Sequence, residues 1–207
     1  MDQAERRRVI LGHLETLVFV LFYTLVFLKF SQALLTRPSA ANALYLFDQT
    51  IILGFLLFRR RAVLVTERPL DFIMATAGTV IPMLAIPSSG QSVIPSVLCT
   101  ALMVLGLLVH ISAKLSLRRS FGVIPADRGI KSGGIYRFVR HPMYLGYMIV
   151  EAGLLLAGPL LWNALIFGVH WLLFLYRMVA EERILRQNPD YVAYCARTRY
   201  RLVPGLY

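Results

Sequence analysis

Six apolar segments, at residues 13–35, 43–58, 70–87, 93–113, 142–158 and 160–180, follow one another along the chain. Crossing a hydrocarbon core as a helix takes about 20 apolar residues. A helix or a closed barrel is required there, because no water is present to satisfy the backbone N–H and C=O groups. The pattern therefore predicts an all-α fold, a polytopic transmembrane helical bundle of about six spans. The second and fifth segments are the shortest, and the second carries Asp48. Breaks fall at Pro38, at Pro69, at Pro87 with Ser88, Ser89 and Gly90, and at Gly158-Pro159. The last break is so tight that spans five and six form a helical hairpin.

Lysine and arginine placement orients the bundle. Arg6, Arg7 and Arg8 precede span one, and Arg59, Arg60, Arg61 and Arg68 lie between spans two and three. A long basic connection from Lys114 to Arg140 precedes span five, and Arg177, Arg183, Arg186, Arg197, Arg199 and Arg201 close the chain. The opposite connections hold Arg37, with Lys29 near the end of span one. Six spans put all the basic segments on one side, so an integral multi-pass membrane protein with both termini cytoplasmic is expected. The basic N-terminus begins like a signal peptide, but its apolar part is too long and it reads as a retained first span. The net charge of +11 does not indicate nucleic acid, because the cations alternate with apolar runs in a chain that is 57% hydrophobic. Cys99 and Cys195 lie far apart in unlike surroundings, so neither a disulfide framework nor a metal site is indicated.

Polar groups are unevenly distributed. The first four spans hold Glu15, Lys29, Asp48, Asp71 and His110, whereas the chain from Lys114 onward is crowded with ionisable residues. This divides the chain into a transmembrane platform, residues 1–113, and a working half, residues 114–207. Two constellations stand out in the second half. The first is RHPMYLG, from Arg140 to Gly146, preceded by RGIKSGGIYRFV. Proline suits the first turn of a helix, so Arg140 and His141 stand at a helix mouth whose free N–H groups favour anions. Gly129, Gly133 and Gly134 supply backbone able to approach a ligand closely. The second constellation is RMVAEERIL at the end of span six, where Arg177 and Glu181 share a helical face. Acids at a membrane boundary do little for topology, so Glu181 and Glu182 are functional candidates. The plainer readings are an interfacial anchor for the first group and an ion-pair cluster for the second. Because spans five and six form a hairpin, the two groups meet at one membrane face. Within the span, Glu151 has the choice of His170 on span six, as a helix–helix hydrogen bond, or an acceptor tunnel.

From Leu115 to Leu206 the chain resembles the isoprenylcysteine carboxyl methyltransferase family of integral membrane methyltransferases. The resemblance rests on the order RHPxYxG, then EExxL, then YxxY and a terminal proline. It implies methyl transfer from S-adenosylmethionine without a metal, in a cytoplasmic C-terminal segment that folds over the cofactor. Carried over by motif position, Tyr136, Arg140, His141, Tyr144, Glu181 or Glu182, and Tyr194 would contact the cofactor. Arg177 would lie near an acceptor carboxylate, and Arg177 with Glu181 would form the catalytic pair. The implied partners are the lipid bilayer and an amphiphilic or prenylated acceptor arriving from the membrane. RHPxY is shared with sterol-type membrane reductases, so an NADPH-dependent reductase is the alternative enzyme. A non-enzymatic membrane scaffold is the third class.

Overall fold

A computed structural model describes residues 3–36, 40–86 and 90–206. Arg37, Pro38, Pro87, Ser88 and Ser89, which figured in the breaks and the charge pattern, lie outside the described residues. The chain packs as two units, Met1–Arg59 and Arg60–Tyr207.

The first unit is a pair of helices, α1 (Gln3–Thr36) and α2 (Ala40–Leu57), packed against each other. At its end, the Arg59 guanidinium donates to Thr16 Oγ1 at 2.7 Å. The second unit runs β1 (Leu64–Val65), α3 (Pro69–Val80), α4 (Ser96–Leu117), β2 (Ala126–Asp127), α5 (Pro142–Ala157), α6 (Leu161–Leu185) and α7 (Pro189–Arg197). Short 3₁₀ turns occupy Ile81–Leu84, Arg118–Ser120 and Gly134–Arg137. Proline opens α3, α5 and α7, where its missing N–H costs nothing.

All six apolar segments contain helix. Among the described residues, three stretches are long and apolar enough to cross a membrane: Thr16–Thr36, Ser96–Ser120 and Leu161–Leu185. Leu46–Leu57, Pro69–Leu84 and Pro142–Ala157 are shorter. At 1.5 Å per residue, a 16-residue helix such as α5 spans about 24 Å, less than the roughly 30 Å of a hydrocarbon core.

Two seams organise the second unit, and their chemistry differs. Helices α4 and α5 meet backbone to backbone. A Cβ on Gly106 would stand 2.7 Å from the Gly146 carbonyl oxygen, and one on Gly146 would stand 2.7 Å from the Gly106 carbonyl oxygen. One on Gly153 would meet the Met103 side chain at 2.7 Å. Small residues at a helix interface permit this approach and let dispersion act over a long contact. Helix α5 packs less extensively on its hairpin partner α6, because rings fill the space between them. Phe174 lies 4.7 Å from Tyr144, 5.4 Å from Tyr147 and 3.9 Å from His170, centroid to centroid.

A polar knot ties α3, α5 and α6 at mid-height. His170 Nδ1 lies 2.6 Å from Glu151 Oε1 and its Nε2 lies 2.8 Å from the Gly78 carbonyl oxygen. Trp171 Nε1 donates to Glu151 Oε2 at 2.6 Å. The carbonyl accepts only, so Nε2 carries a proton. One further proton lies between Nδ1 and the carboxyl group, leaving the pair neutral overall whichever atom holds it. Glu151 therefore makes the inter-helix bond to His170 rather than facing a tunnel, and its burial is compensated.

Candidate active site

Segments far apart in sequence are stitched together at one end of the second unit. The N–H groups of Arg140 and His141 donate to the carbonyls of Tyr200 and Arg201, at 2.9 and 2.8 Å. The tail thus lies beside the approach to α5. The Tyr194 hydroxyl on α7 donates to the Tyr136 carbonyl at 2.6 Å. Asn188 caps α7 by accepting from Asp190 N–H at 3.0 Å, and its Nδ2 donates to Asp127 Oδ2 at 2.9 Å. The two-residue ladder pairs Leu64 with Asp127 and Val65 with Ala126, antiparallel. It holds the α4–α5 connection in place, and Arg60 N–H adds a bond to the Arg119 carbonyl at 2.7 Å. Gly129 turns this connection at φ 95°, a left-handed conformation that side chains resist.

These pieces enclose a cleft that opens to solvent. His141, Met143 and Tyr144 line it at the start of α5, and Glu181 and Leu185 at the end of α6. Tyr191 and Tyr194 close it from α7, while Ser120, Arg128, Lys131, Tyr136 and Arg140 come from the α4–α5 connection. Of the residues expected from sequence, Tyr136, Arg140, His141, Tyr144, Glu181 and Tyr194 share this one cleft.

The two adjacent carboxylates point to different places, as neighbours about 100° apart on a helix must. Glu181 faces the cleft with 21% of its side chain exposed. It accepts from the Tyr144 hydroxyl, and His141 Nδ1 lies 3.7 Å from its other oxygen. Glu182 is only 2% exposed and stands behind the cleft as a hub. It accepts from Arg140 Nε at 2.9 Å and lies 3.2 Å from His141 Nε2. It also accepts from Arg201 Nε and Nη2 at 3.1 and 3.0 Å, and from Arg186 Nη2 at 3.4 Å. Arg140 spends its Nη1 on the carbonyls of Thr198 and Arg199, at 3.1 and 2.7 Å. Charge-assisted bonds of this kind offset the cost of burying the ions.

Arg177 is separated from the cleft by an aromatic ring. Its Cζ lies 5.5 Å from the centre of the Tyr144 ring, and Nη2 donates to the Val123 carbonyl at 2.8 Å. Gly133 and Gly134 do not line the cleft. Gly134, at φ 61°, instead allows close passage past Ser116, whose Oγ would stand 2.5 Å from an added Cβ.

Burial pushes the Tyr136 phenol well above its ordinary pKa, with the Glu181 charge adding to the shift. Burial likewise raises Tyr191 and Tyr194 above the usual tyrosine range. All three remain neutral hydroxyls at physiological pH. Among the described residues the Tyr191 hydroxyl is buried with no hydrogen-bond partner, a situation that costs about 1–3 kcal/mol in a closed structure. An unsatisfied hydroxyl, one solvent-reaching carboxylate and two cations, Arg128 and Lys131, make a donor set suited to a small zwitterionic ligand. Sequence reasoning assigned no role to Tyr191, Ser120, Arg128 or Lys131. In the sequence the two cations mark topology alone, and Tyr191 carries a signal only as the first tyrosine of YxxY.

Among the described residues, three helices are long and apolar enough to cross a membrane, and the second unit carries a charged, tyrosine-lined cleft. Residues 94–193, just under half of the chain, match the family described as phospholipid methyltransferase. The matched range contains RHPxYxG, EExxL and every cleft residue named above except Tyr194. No curated protein sequence matches the chain. A solved structure of the eukaryotic intramembrane Ras methyltransferase, isoprenylcysteine carboxyl methyltransferase, superposes with a TM-score of 0.48 at 14% identity. That alignment covers 100% of this chain and 88% of the other.

Proposed function

We propose that the protein is an S-adenosylmethionine-dependent integral membrane methyltransferase acting on a lipid-like or prenylated acceptor. One observation carries the reading: five residues drawn from three motifs, joined by Tyr136 from the segment before the first, converge on one cleft at the shared end of α5 and α6. In this reading the six apolar helical segments all lie in the membrane, with both termini and the cleft on the cytoplasmic side. Residues 114–207 are the working half and residues 1–113 the platform. The matched family's name points to a phospholipid acceptor, and the motif resemblance to a prenylated cysteine carboxylate.

The residues fit the cofactor's chemistry. Glu181 suits its ribose hydroxyls or ammonium group, and Arg128 and Lys131 suit its carboxylate. Tyr191 gains the partner it lacks. When bound, the cofactor supplies an electrophilic methyl group on a sulfonium. The chain's own contribution is position and desolvation rather than proton transfer. Tyr144 holds Glu181, and His141 stands between the two carboxylates. Glu182 fixes Arg140 by an ion pair and His141 by a contact at 3.2 Å, and locks the tail across the site. Arg177 backs the Tyr144 ring, so its reach to an acceptor carboxylate requires that ring to move.

Titration of purified protein with S-adenosylmethionine or S-adenosylhomocysteine, followed by thermal shift, tests the reading. Stabilisation by either ligand supports it. No binding at millimolar concentration, with NADPH stabilising instead, overturns it. A labelled-methyl assay across phospholipid and prenylated acceptors then separates the acceptor classes.

A further inference from the structure

Helix α3 carries no residue of the cleft, yet it holds a fully buried carboxylate. Asp71 is 0% exposed and accepts from the Thr66 hydroxyl and from the Tyr176 hydroxyl, the latter at 2.7 Å. Arg183 Nη1 lies 3.6 Å from its other oxygen. Tyr176 and Arg183 both belong to α6 and are seven residues apart, so they share a face to within about 20°. Glu181 lies about 140–160° round the same helix.

We propose that Asp71 is a positioning residue for the cleft: it grips α6 from behind and sets the rotation that aims Glu181. This rests on the reading of the cleft as a S-adenosylmethionine site. Thr66 adds the anchor. It follows the strand β1, so the ladder that shapes the α4–α5 connection also fixes the residue holding Asp71. Gly78 braces the same helix on another side. Its carbonyl meets His170, and a Cβ there would stand 3.4 Å from Arg177 Cδ. Helix α3 therefore straddles α6 at two angular positions and opposes rotation in both directions. The leverage is large. A turn of about 25° moves a Cα on a 2.3 Å cylinder by about 1 Å, and displacements of that size in a site reduce function by up to about a hundredfold.

A double-mutant cycle in the full-length protein tests this, with S-adenosylhomocysteine affinity and unfolding temperature measured side by side. Asp71→Asn is expected to weaken binding about tenfold in the otherwise unchanged protein, and Tyr176→Phe about threefold. In a Glu181→Gln background each loss should shrink to below about twofold, because the residue being aimed no longer carries its charge. The drop in unfolding temperature should be the same in both backgrounds. Tyr176→Phe removes one hydroxyl and serves if Asp71→Asn does not fold. Equal binding losses in both backgrounds overturn the positioning role, as does unchanged binding in either variant. Failure of the unsubstituted protein to bind S-adenosylhomocysteine removes the underlying cleft reading instead, which is a different result from additive losses in a protein that binds.

Discussion

Glu181 and Glu182 are adjacent in sequence but predict opposite phenotypes. Glu182→Gln removes the negative charge from a 2%-exposed position that serves Arg140, His141, Arg186 and Arg201. Breaking a buried ion pair by deleting one partner costs about 3–5 kcal/mol. The side chains of Arg186 and Arg201 are 52% and 27% exposed and can turn to water, so their share is small. The side chains of Arg140 and His141, 8% and 5% exposed, cannot. The lower figure, about 3 kcal/mol, is therefore expected. At about 2–4 °C per kcal/mol for a chain of this size, the unfolding temperature falls by about 6–12 °C. Glu181→Gln keeps an oxygen for the Tyr144 hydroxyl and loses a partly solvated charge, so it costs under about 1 kcal/mol. It should nevertheless weaken S-adenosylhomocysteine binding about 10–100-fold, the worth of a charged hydrogen bond of about 1.5–3 kcal/mol. Thermal unfolding in detergent and ligand titration on both variants check this. The reasoning fails if Glu182→Gln unfolds at the unsubstituted temperature, or if Glu181→Gln binds ligand unchanged.

Tyr191→Phe should leave stability unchanged or raise it slightly while weakening cofactor binding about tenfold; titration and melting of the same sample read both. Glu151→Gln breaks the knot with His170 and Trp171 and should destabilise by about 3 kcal/mol, with S-adenosylhomocysteine affinity within about twofold of the unsubstituted protein as measured by titration. Gly146→Ala places a methyl 2.7 Å from the Gly106 carbonyl oxygen and should cost about 1–3 kcal/mol by thermal unfolding. The buried phenols have folded pKa values raised above their unfolded ones. Their contribution to stability is complete below about pH 10 and is lost as pH rises towards the folded values. Melting temperature should be flat through neutrality and fall above about pH 10.

The helices and the meeting of their charged ends were legible in the sequence. Apolar run length marks α1, α2, α3, α4, α5 and α6, and the Gly158-Pro159 break forces the ends of α5 and α6 to the same level. Pro142 marked the mouth of α5 to the residue. What stayed hidden depends on pairing over long chain distances. The bond from His141 N–H to the Arg201 carbonyl, and from Arg201 to Glu182, is set by how the tail returns. No local periodicity encodes that return. The β1–β2 ladder is two residues long on each side, too short to show an alternating pattern. Which of the paired acids faces the cleft was undecidable from spacing, because it depends on the rotation of α6. The placement of Arg177 was hidden for the same reason: four residues before Glu181, it shares that face, yet its guanidinium lies beneath the Tyr144 ring. The shortness of α5 was visible in the sequence, whereas its glycine contacts with α4 needed the partner helix to be placed.

The contrast between the two seams has a mechanical consequence. Where α4 and α5 touch at Gly106 and Gly146, carbonyl oxygens abut α-carbons and little side chain stands between the backbones to yield, so that pair behaves as a single stiff beam. Where α5 faces α6, tilted rings can slide and turn at little cost. Any widening between these helices is therefore easiest on the ring-filled side, with α6 and its brace α3 swinging against a stationary beam.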